Sequence, residues 1–145
     1  MNKIFKIGVI GLFSLFLSCD KNGEISKSIK DDVFSGVYTR TYKVLTDEET
    51  MTMSWVSYER QFTLDLKNGT YTCEGDDEGH PSFYGAGTFS VEKDIIIFND
   101  EVARNAQYSW EWILGGEYNF TFDGKRLQFS KNNDYSRHEY ILEKQ

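Results

Sequence analysis

The chain has 145 residues, a length that favours a single domain. A hydrophobic fraction of 39%, an aromatic fraction of 16% and a single proline exclude wholesale disorder and a collagenous or proline-rich protein. The formal net charge of −7 argues against nucleic acid as a partner, because such binding depends largely on Lys and Arg neutralising phosphates.

The first 18 residues have the organisation of a secretory signal peptide. Lys3 and Lys6 precede the apolar run IGVIGLFSLFL at 7–17, which is shorter than the roughly 20 residues of a membrane-spanning helix. The run ends in Phe16-Leu17-Ser18-Cys19, which resembles the bacterial lipobox, where an invariant cysteine is lipidated and becomes the new N-terminus. The resemblance implies a lipid anchor such as palmitate on Cys19, and the alternative is an ordinary signal peptide with an incidental cysteine.

A lipidated Cys19 would anchor the protein to a membrane of the cell envelope. Each buried acyl methylene contributes about 0.8 kcal/mol, so two or three acyl chains anchor stably. We expect the outer membrane, with the domain in the periplasm or on the surface; Asp20 and Lys21 leave the membrane and the leaflet open. Residues 19–32 are expected to form the lipidated cysteine and a flexible tether. Removal of residues 1–18 takes away two lysines and changes the net charge to −9.

Residues 33–145 alternate between apolar and polar side chains over short segments that turn residues separate, which is typical of β-strands. The segment FTLDLKNGTYTCE predicts a hairpin with a type I′ turn at Asn68-Gly69. Pairing outward from this turn places Leu66 opposite Tyr71 and Leu64 opposite Cys73. One face of the hairpin is therefore expected to be buried in the core and the other to be exposed to solvent.

A second hairpin is predicted in EYNFTFDGKRLQFSK, with its turn at Asp123-Gly124. Phe120 then faces Leu127, and Tyr118 faces Phe129. The remaining strands are predicted over 36–45, 51–57 with a bend near Ser57, 83–91, 94–98, 106–114 and 137–142. Eight to ten short strands joined by hairpins favour an all-β antiparallel meander that hides its edges by closing into a small barrel. Such a barrel is filled by its own side chains or holds one small ligand.

The region 33–145 resembles bacterial lipocalin-like domains in three stretches. These are Phe34-Ser35-Gly36-Val37-Tyr38, Gly87-Thr88-Phe89-Ser90-Val91 before an isoleucine-rich strand, and the closing Tyr140-Ile141-Leu142. The resemblance implies a lipocalin-like β-barrel domain. Lipocalins proper are longer and carry a helix after the barrel, for which this chain has no room.

The segment EGDDEGHPS at 74–82 concentrates acidic residues with a histidine and the only proline. Asp76, Asp77, Glu78 and His80 are candidates for a partner-binding loop, because loops on a rigid scaffold often carry recognition. A solvated turn is the simpler interpretation. Calcium binding is less favoured, since the spacing is not that of an EF-hand. Two histidines and a lone Cys73 are too few for a zinc site, so no metal is expected.

Aromatic residues provide a second candidate site. Trp110 and Trp112 alternate on one strand face, and Tyr38, Arg40 and Tyr42 share a face of the first strand. These five residues are candidates for lining a ligand cavity, and the aromatic ones are equally suited to filling the barrel. An inward Arg40 would be a buried charge that requires a partner, and it could orient a ligand carboxylate.

The sequence predicts a protein without catalytic residues or a cofactor, because no GxSxG, HExxH, P-loop or GxGxxG pattern occurs. Cys73, flanked by acidic residues, is expected to be buried and inert. We expect a membrane-anchored lipoprotein whose barrel binds a protein partner, most concretely as an inhibitor of a secreted protease. The alternatives are a lipocalin-like carrier of a small apolar ligand and a sugar-binding accessory lipoprotein.

Overall fold

A computed structural model describes residue 29 and residues 31–75, 84–104 and 113–145. In these residues the chain forms eight antiparallel strands and no helix. Each strand pairs with the next and β8 pairs with β1, so the sheet closes into a barrel, and the predicted all-β antiparallel barrel is confirmed. The strands are β1 Asp32–Asp47, β2 Thr52–Lys67, β3 Thr70–Gly75, β4 Tyr84–Glu92, β5 Ile95–Asp100, β6 Gly116–Phe122, β7 Arg126–Asn132 and β8 Ser136–Lys144. The described part of the chain includes no helix that could cross a membrane.

The hairpin between β2 and β3 has the predicted turn and the predicted register. Asn68 and Gly69 have positive φ values of 51° and 78°, as a type I′ turn requires. Leu66 lies opposite Tyr71, and Leu64 lies opposite Cys73. Phe62, Leu64, Leu66, Tyr71 and Cys73 are buried, so the local alternation was sufficient to predict this face of the core. The prediction of separate strands before and after Ser57 is wrong, because β2 is one strand that continues through this residue.

The hairpin between β6 and β7 differs from the prediction in register. Phe122 lies opposite Leu127 and Phe120 lies opposite Phe129, two residues away from the predicted pairs. Because the shift is an even number of residues, every side chain keeps its predicted face. The predicted core face of this hairpin is therefore correct although its pairs are not.

The side chain of Asp123 explains the change of register. Its Oδ1 accepts hydrogen bonds from the backbone N–H groups of Lys125 at 2.8 Å and Arg126 at 2.7 Å. This local turn moves the two-residue loop to Gly124 and Lys125, and Gly124 supplies the positive φ of 98°. The Asp-Gly pair therefore correctly predicted a turn here, but the two loop residues lie one position later than predicted.

Aromatic rings fill the inside of the barrel. Phe129 and Tyr140 stack with ring centroids 4.3 Å apart, and Tyr140 stacks on Tyr38 at 4.6 Å. Such pairs contribute about 0.5–1.5 kcal/mol each beyond the burial of their area. The largest fully buried side chains are Tyr38, Tyr71, Tyr118, Tyr140, Phe34, Phe62, Phe98, Phe129, Leu64, Leu66 and Ile96.

The two ends of the barrel are built differently. One end is closed by short turns between β2 and β3, β4 and β5, and β6 and β7. At the opposite end β1 and β2 continue beyond their last described partners on the other side, which are Ser136 of β8 opposite Tyr42 and Gly75 of β3 opposite Phe62. Residues 43–56 therefore form a two-stranded arm that projects from this end, and we call this segment the arm.

Candidate functional site

Three sequence-predicted site residues lie on the inward face of β1 at the barrel end that carries the arm. Tyr38 is fully buried, Arg40 is 7% exposed and Tyr42 is half-buried. Arg40 therefore meets the condition, an inward side chain, under which the sequence made it a candidate for orienting a ligand. We call the inward-facing surface at this barrel end the mouth.

Neighbouring strands bring further polar side chains to the mouth. Arg40 lies directly opposite Tyr58 on β2 and His138 on β8. Lys131 on β7 lies opposite His138, and Arg60 follows two residues after Tyr58 on the same face of β2. The mouth thus includes the side chains of Tyr38, Arg40, Tyr42, Tyr58, Arg60, Lys131 and His138.

Sequence reasoning missed His138, Arg60 and Lys131 as members of this site. The alternation of apolar and polar residues in each strand indicates that these three side chains lie on the inward face, and this could be read from the sequence. Which strands become neighbours around a closed barrel depends on pairings between residues about 100 positions apart, as for Tyr38 and His138. No local pattern encodes such a pairing.

A hydrogen-bonded chain fixes the imidazole of His138. The Tyr38 hydroxyl lies 2.8 Å from Nδ1, and Nε2 lies 3.3 Å from the Ser136 Oγ. Burial raises the pKa of Tyr38, which keeps this phenol protonated and able to donate to Nδ1. In a neutral imidazole the proton then resides on Nε2, on the side of Ser136.

Among the residues that the structure describes, the cationic side chains of the mouth are Arg40, Arg60 and Lys131. Burial lowers the pKa of His138 to about 4, and the charges of Lys131 and Arg40 lower it further in the same direction. The imidazole is therefore neutral at pH 7, and the positive charge belongs to the lysine and the arginines. Burial also lowers the pKa of Lys131, whose Nζ donates to the Gly115 carbonyl at 2.8 Å.

Each cation of the mouth stacks on a tyrosine ring. The Arg40 guanidinium carbon lies 4.6 Å from the centroid of Tyr42, and Lys131 Nζ lies 4.6 Å from that of Tyr118. The guanidinium carbon of Arg60 lies 5.6 Å from the ring centroid of Tyr58. These cation–π contacts hold the charged groups against aromatic walls instead of in open solvent.

A buried ion pair lies across the barrel from this cationic arc. Arg104 Nη2 donates to Asp100 Oδ2 at 2.8 Å and to the Tyr84 carbonyl at 2.6 Å. Asp100 Oδ2 also accepts a bond of 3.4 Å from the Tyr71 hydroxyl. The Asp100 carboxylate is thereby engaged by its own neighbours.

Cys73 lies beside this ion pair and is 3% exposed, so its predicted burial is confirmed. Burial and the Asp100 charge raise the pKa of the thiol, which keeps it protonated. Within the described ranges, no three His, Cys, Asp or Glu side chains are grouped so that they could hold a metal ion.

The outer surface of the arm exposes aromatic and aliphatic side chains. Trp55 is 44% exposed, and its ring contacts two cations, with Lys43 Nζ at 5.1 Å and the Arg137 guanidinium carbon at 5.2 Å. Lys43 Nζ also lies 5.8 Å from the ring of Tyr135. We call this surface the arm face; it consists of Lys43, Leu45, Met53 and Trp55 of the arm with Tyr135 and Arg137 beside it.

The other predicted site residues lie outside the described residues. These are the lipidation site Cys19, the loop residues Asp76, Asp77, Glu78 and His80, and the aromatic residues Trp110 and Trp112. The strands that flank residues 76–83 end at Gly75 and begin at Tyr84, at the same barrel end as the mouth.

Comparisons with protein-family models, with curated proteins and with solved structures found no match to this chain. The lipobox and lipocalin-like resemblances therefore remain predictions from the sequence. The mouth and the arm face are the two surfaces from which a function can be argued.

Proposed function

We propose that this protein is a non-enzymatic lipoprotein of the cell envelope, anchored through Cys19, whose barrel binds a protein partner and inhibits a secreted protease. The arm face is the observation that carries this proposal. It presents Trp55, Met53 and Leu45 to solvent on a segment that projects beyond the barrel.

The composition of the arm face is that of a binding hot spot. Tryptophan, tyrosine, methionine and arginine are enriched in the centres of protein interfaces, whereas an exposed apolar cluster is otherwise unfavourable in water. The contacts of Trp55 with Lys43 and Arg137 restrict its ring before any partner arrives. A ring that is already ordered loses less conformational entropy on binding.

The shape of the arm suits a protease as the partner. Two paired strands are only about 5 Å apart along the sheet, so the arm is much narrower than the barrel that supports it. A narrow hairpin can enter a cleft that excludes a globular surface. Lipid anchoring and a tether over residues 19–32 would hold the domain where exported proteins pass.

The filling of the barrel favours this function over the carriage of an apolar ligand. Stacking of Phe129 on Tyr140, and of Tyr140 on Tyr38, occupies the volume that an enclosed ligand would need. Native mass spectrometry of the purified protein tests the alternative, since a carrier would retain lipid. A glycan array tests the sugar-binding alternative in the same way.

The proposed function is tested with residues 20–145, which retain every described strand of the closed barrel. We expect this protein to inhibit at least one protease secreted by the same organism. Trp55→Ala should weaken the inhibition about 30-fold, the loss of about 2 kcal/mol that defines a hot-spot residue. The matched control is Tyr84→Ala, which removes another exposed aromatic side chain away from the arm face.

Two results would contradict the proposal. If no secreted protease forms a complex with the protein or is inhibited by it, the proposed function is wrong. Equal losses for Trp55→Ala and Tyr84→Ala would show that the arm face is not the contact surface.

A further inference from the structure

One edge of the arm has no strand beside it among the described residues. On the side away from β1, β2 pairs with β3 only as far as Phe62, which lies opposite Gly75. From Thr52 to Ser57 every residue of β2 is exposed, on both faces of the strand. An unpaired strand edge presents a row of backbone N–H and C=O groups to which another strand can pair. We call the segment Thr52–Val56 the free edge.

The link between β3 and β4 is too short to cover the free edge. Residues 76–83 connect Gly75 to Tyr84, and the two strands that they join are themselves paired. At about 3.3 Å per residue, a link of this length extends at most about 15 Å from the end of β3 before it must return. That distance ends near the level of Tyr58, so the free edge lies beyond its reach.

The backbone of the free edge is oriented for pairing. The Lys43 N–H donates to the Tyr135 carbonyl at 3.0 Å, so the backbone groups of Lys43 point away from β2. Trp55 lies directly opposite Lys43 and therefore points its own N–H and C=O away from β1. Met53 has the same orientation, because the direction alternates along a strand. Met53 and Trp55 thus present donors and acceptors along the free edge.

The sequence around the free edge lacks the features that usually protect a strand edge. Natural proteins protect such edges with lysine and other charges, with proline or with a β-bulge. Residues 50–58, TMTMSWVSY, contain no charged residue and no proline, in a chain of which 27% is charged. The pairing of β1 with Met53–Ser57 has no shift in register. This edge is therefore suited to pairing with another strand.

A second copy of the chain is the partner that the charge of the protein favours. Two acidic chains, each with a formal net charge of −7, repel one another unless they meet through an uncharged surface. Antiparallel pairing of the free edge with itself brings together only uncharged side chains, whereas like charges directly opposite would be destabilising. Such self-pairing has a two-fold axis, the commonest symmetry of homodimers.

We propose that two copies of this protein pair through their free edges, which run antiparallel across a two-fold axis at Ser54. Met53 of each copy then lies opposite Trp55 of the other, and Thr52 lies opposite Val56. These pairs place the outward backbone groups of the two strands face to face. They also bring a methionine sulfur beside an indole ring, which is a favourable contact.

The size of this contact predicts a reversible dimer. A stable protein complex buries about 1,600 Å² in total, more than two short strand segments can contribute. We therefore expect an equilibrium between monomer and dimer that shifts with concentration. Dimerisation does not depend on the proposed protease inhibition. The two paired arms are wider than one arm, so the monomer remains the form suited to a narrow cleft.

Sedimentation velocity of residues 20–145 from micromolar to millimolar concentration tests the dimer. We expect the mass to rise from that of one chain toward that of two and no further, because the pairing uses the free edge of both copies. Amides of Met53 and Trp55 should gain protection from hydrogen exchange as the dimer forms. Those of Ser54 and Val56, which point toward β1, should change little.

Two variants of Met53 separate backbone pairing from side-chain contact. Met53→Pro removes the outward N–H and leaves the bonds to β1 in place, since proline is tolerated at edge positions whose N–H faces solvent. Each copy loses a donor, so we expect dimerisation to weaken about tenfold or more. Met53→Ala keeps the N–H and is the matched control, so this variant should dimerise more strongly than Met53→Pro.

Charged variants of Ser54 test the two-fold axis. Ser54 lies opposite itself in the proposed pairing, so Ser54→Lys and Ser54→Glu should each remain monomeric through repulsion of like charges. A mixture of the two variants should form a dimer, because lysine then lies opposite glutamate. Ser54 is exposed and lies outside the barrel, so both variants should fold. They test the pairing even if Met53→Pro disrupts the arm.

Three results would overturn the inference. A monomer at every concentration would leave the free edge to a strand of a different protein. Equal dimerisation of Met53→Pro and Met53→Ala would indicate contact through side chains instead of backbone pairing. Failure of the mixed Ser54 variants to dimerise would exclude the two-fold axis at Ser54. Each of these can occur with protease inhibition unchanged, so the two proposals fail separately.

Discussion

His138 shows how the barrel interior lowers the pKa of one side chain. Its imidazole is 8% exposed, accepts a hydrogen bond from Tyr38 and lies beside the charges of Arg40 and Lys131. Protonation of the imidazole would place another positive charge beside those of Arg40 and Lys131. The imidazole is therefore held neutral by its surroundings and contributes to stability only while it remains so.

The free energy of unfolding should decrease as the pH is lowered through the range in which His138 titrates. The pKa of this group is about 4 in the folded protein and has an ordinary value of 6.5. The unfolded chain takes up a proton below pH 6.5, whereas the folded protein does so only near pH 4. The stabilisation is thus complete above pH 6.5 and is lost as the pH falls from 6.5 to 4, with about 2 kcal/mol lost by pH 5.

The variant His138→Gln removes this titration. Urea unfolding at pH 7 and pH 5 should show a smaller loss of unfolding free energy in the variant, by about 2 kcal/mol. Carboxylates titrate equally in both proteins, so the difference isolates the imidazole. Identical pH dependence in the two proteins would contradict the low pKa.

Strand β4 shows how closely neighbouring elements approach. A Cβ at Gly87 would lie 1.9 Å from the backbone oxygen of Asn99 on β5, and a Cβ at Gly85 would lie 2.8 Å from Cys73 Sγ. Glycine is required at position 87 because the neighbouring group is backbone and cannot move aside.

Replacement of Gly87 by alanine should therefore be strongly destabilising. We expect a loss of about 3 kcal/mol, at the upper end of overpacking effects. Gly115→Ala is the matched control, because its nearest neighbour is a side-chain atom at 3.6 Å, an ordinary contact. Chemical denaturation measures both variants, and similar stabilities would contradict the close approach.

Among the described strand segments, the arm has the fewest strand-pairing partners. Its two strands pair with each other, whereas the barrel part of β1 pairs with both β2 and β8. Amides of residues 43–56 should exchange with solvent at least about 100-fold faster than those of residues 62–66, because the arm opens without unfolding the barrel. Hydrogen exchange by NMR or mass spectrometry measures this difference, and equal protection would mean that the arm is part of the same cooperative unit.

At the scale of the whole molecule, the strand pairing that closes the sheet also brings together the side chains that fill its interior. The pairing of β8 with β1 removes the two edges of the meander and brings the aromatic rings of distant strands into contact. Cys73 is enclosed in this interior, so its thiol reports on opening of the barrel.

Alkylation of Cys73 in residues 20–145 should follow global unfolding. The native protein at pH 8 should react at least about a thousandfold more slowly than the urea-unfolded chain, the range of folding equilibrium constants for small domains. Urea below the unfolding midpoint should accelerate the reaction in proportion to the unfolded fraction. A native rate close to that of a free thiol would show that Cys73 is reached without opening of the barrel.

Local features of the sequence were sufficient for much of the fold. Asn68-Gly69 placed its hairpin in the correct register, and alternation identified the buried faces of both predicted hairpins. The predicted pairs of the second hairpin were wrong by two residues, because hydrogen bonds to the Asp123 side chain place the loop at Gly124-Lys125. The length of the arm was not predicted, since it depends on where β3 and β8 stop pairing.

The sequence by itself determined which faces of the strands are buried and that the chain forms an all-β barrel. These properties follow from the period of two in strand side chains and from the backbone preferences of a few turn residues. Only the tertiary structure decided that Arg40, Arg60, Lys131 and His138 meet at one end and that Trp55 projects on an arm. The physical reason is that closure pairs strands from opposite ends of the chain, and the register of such long-range pairs is set by the packing of the whole interior.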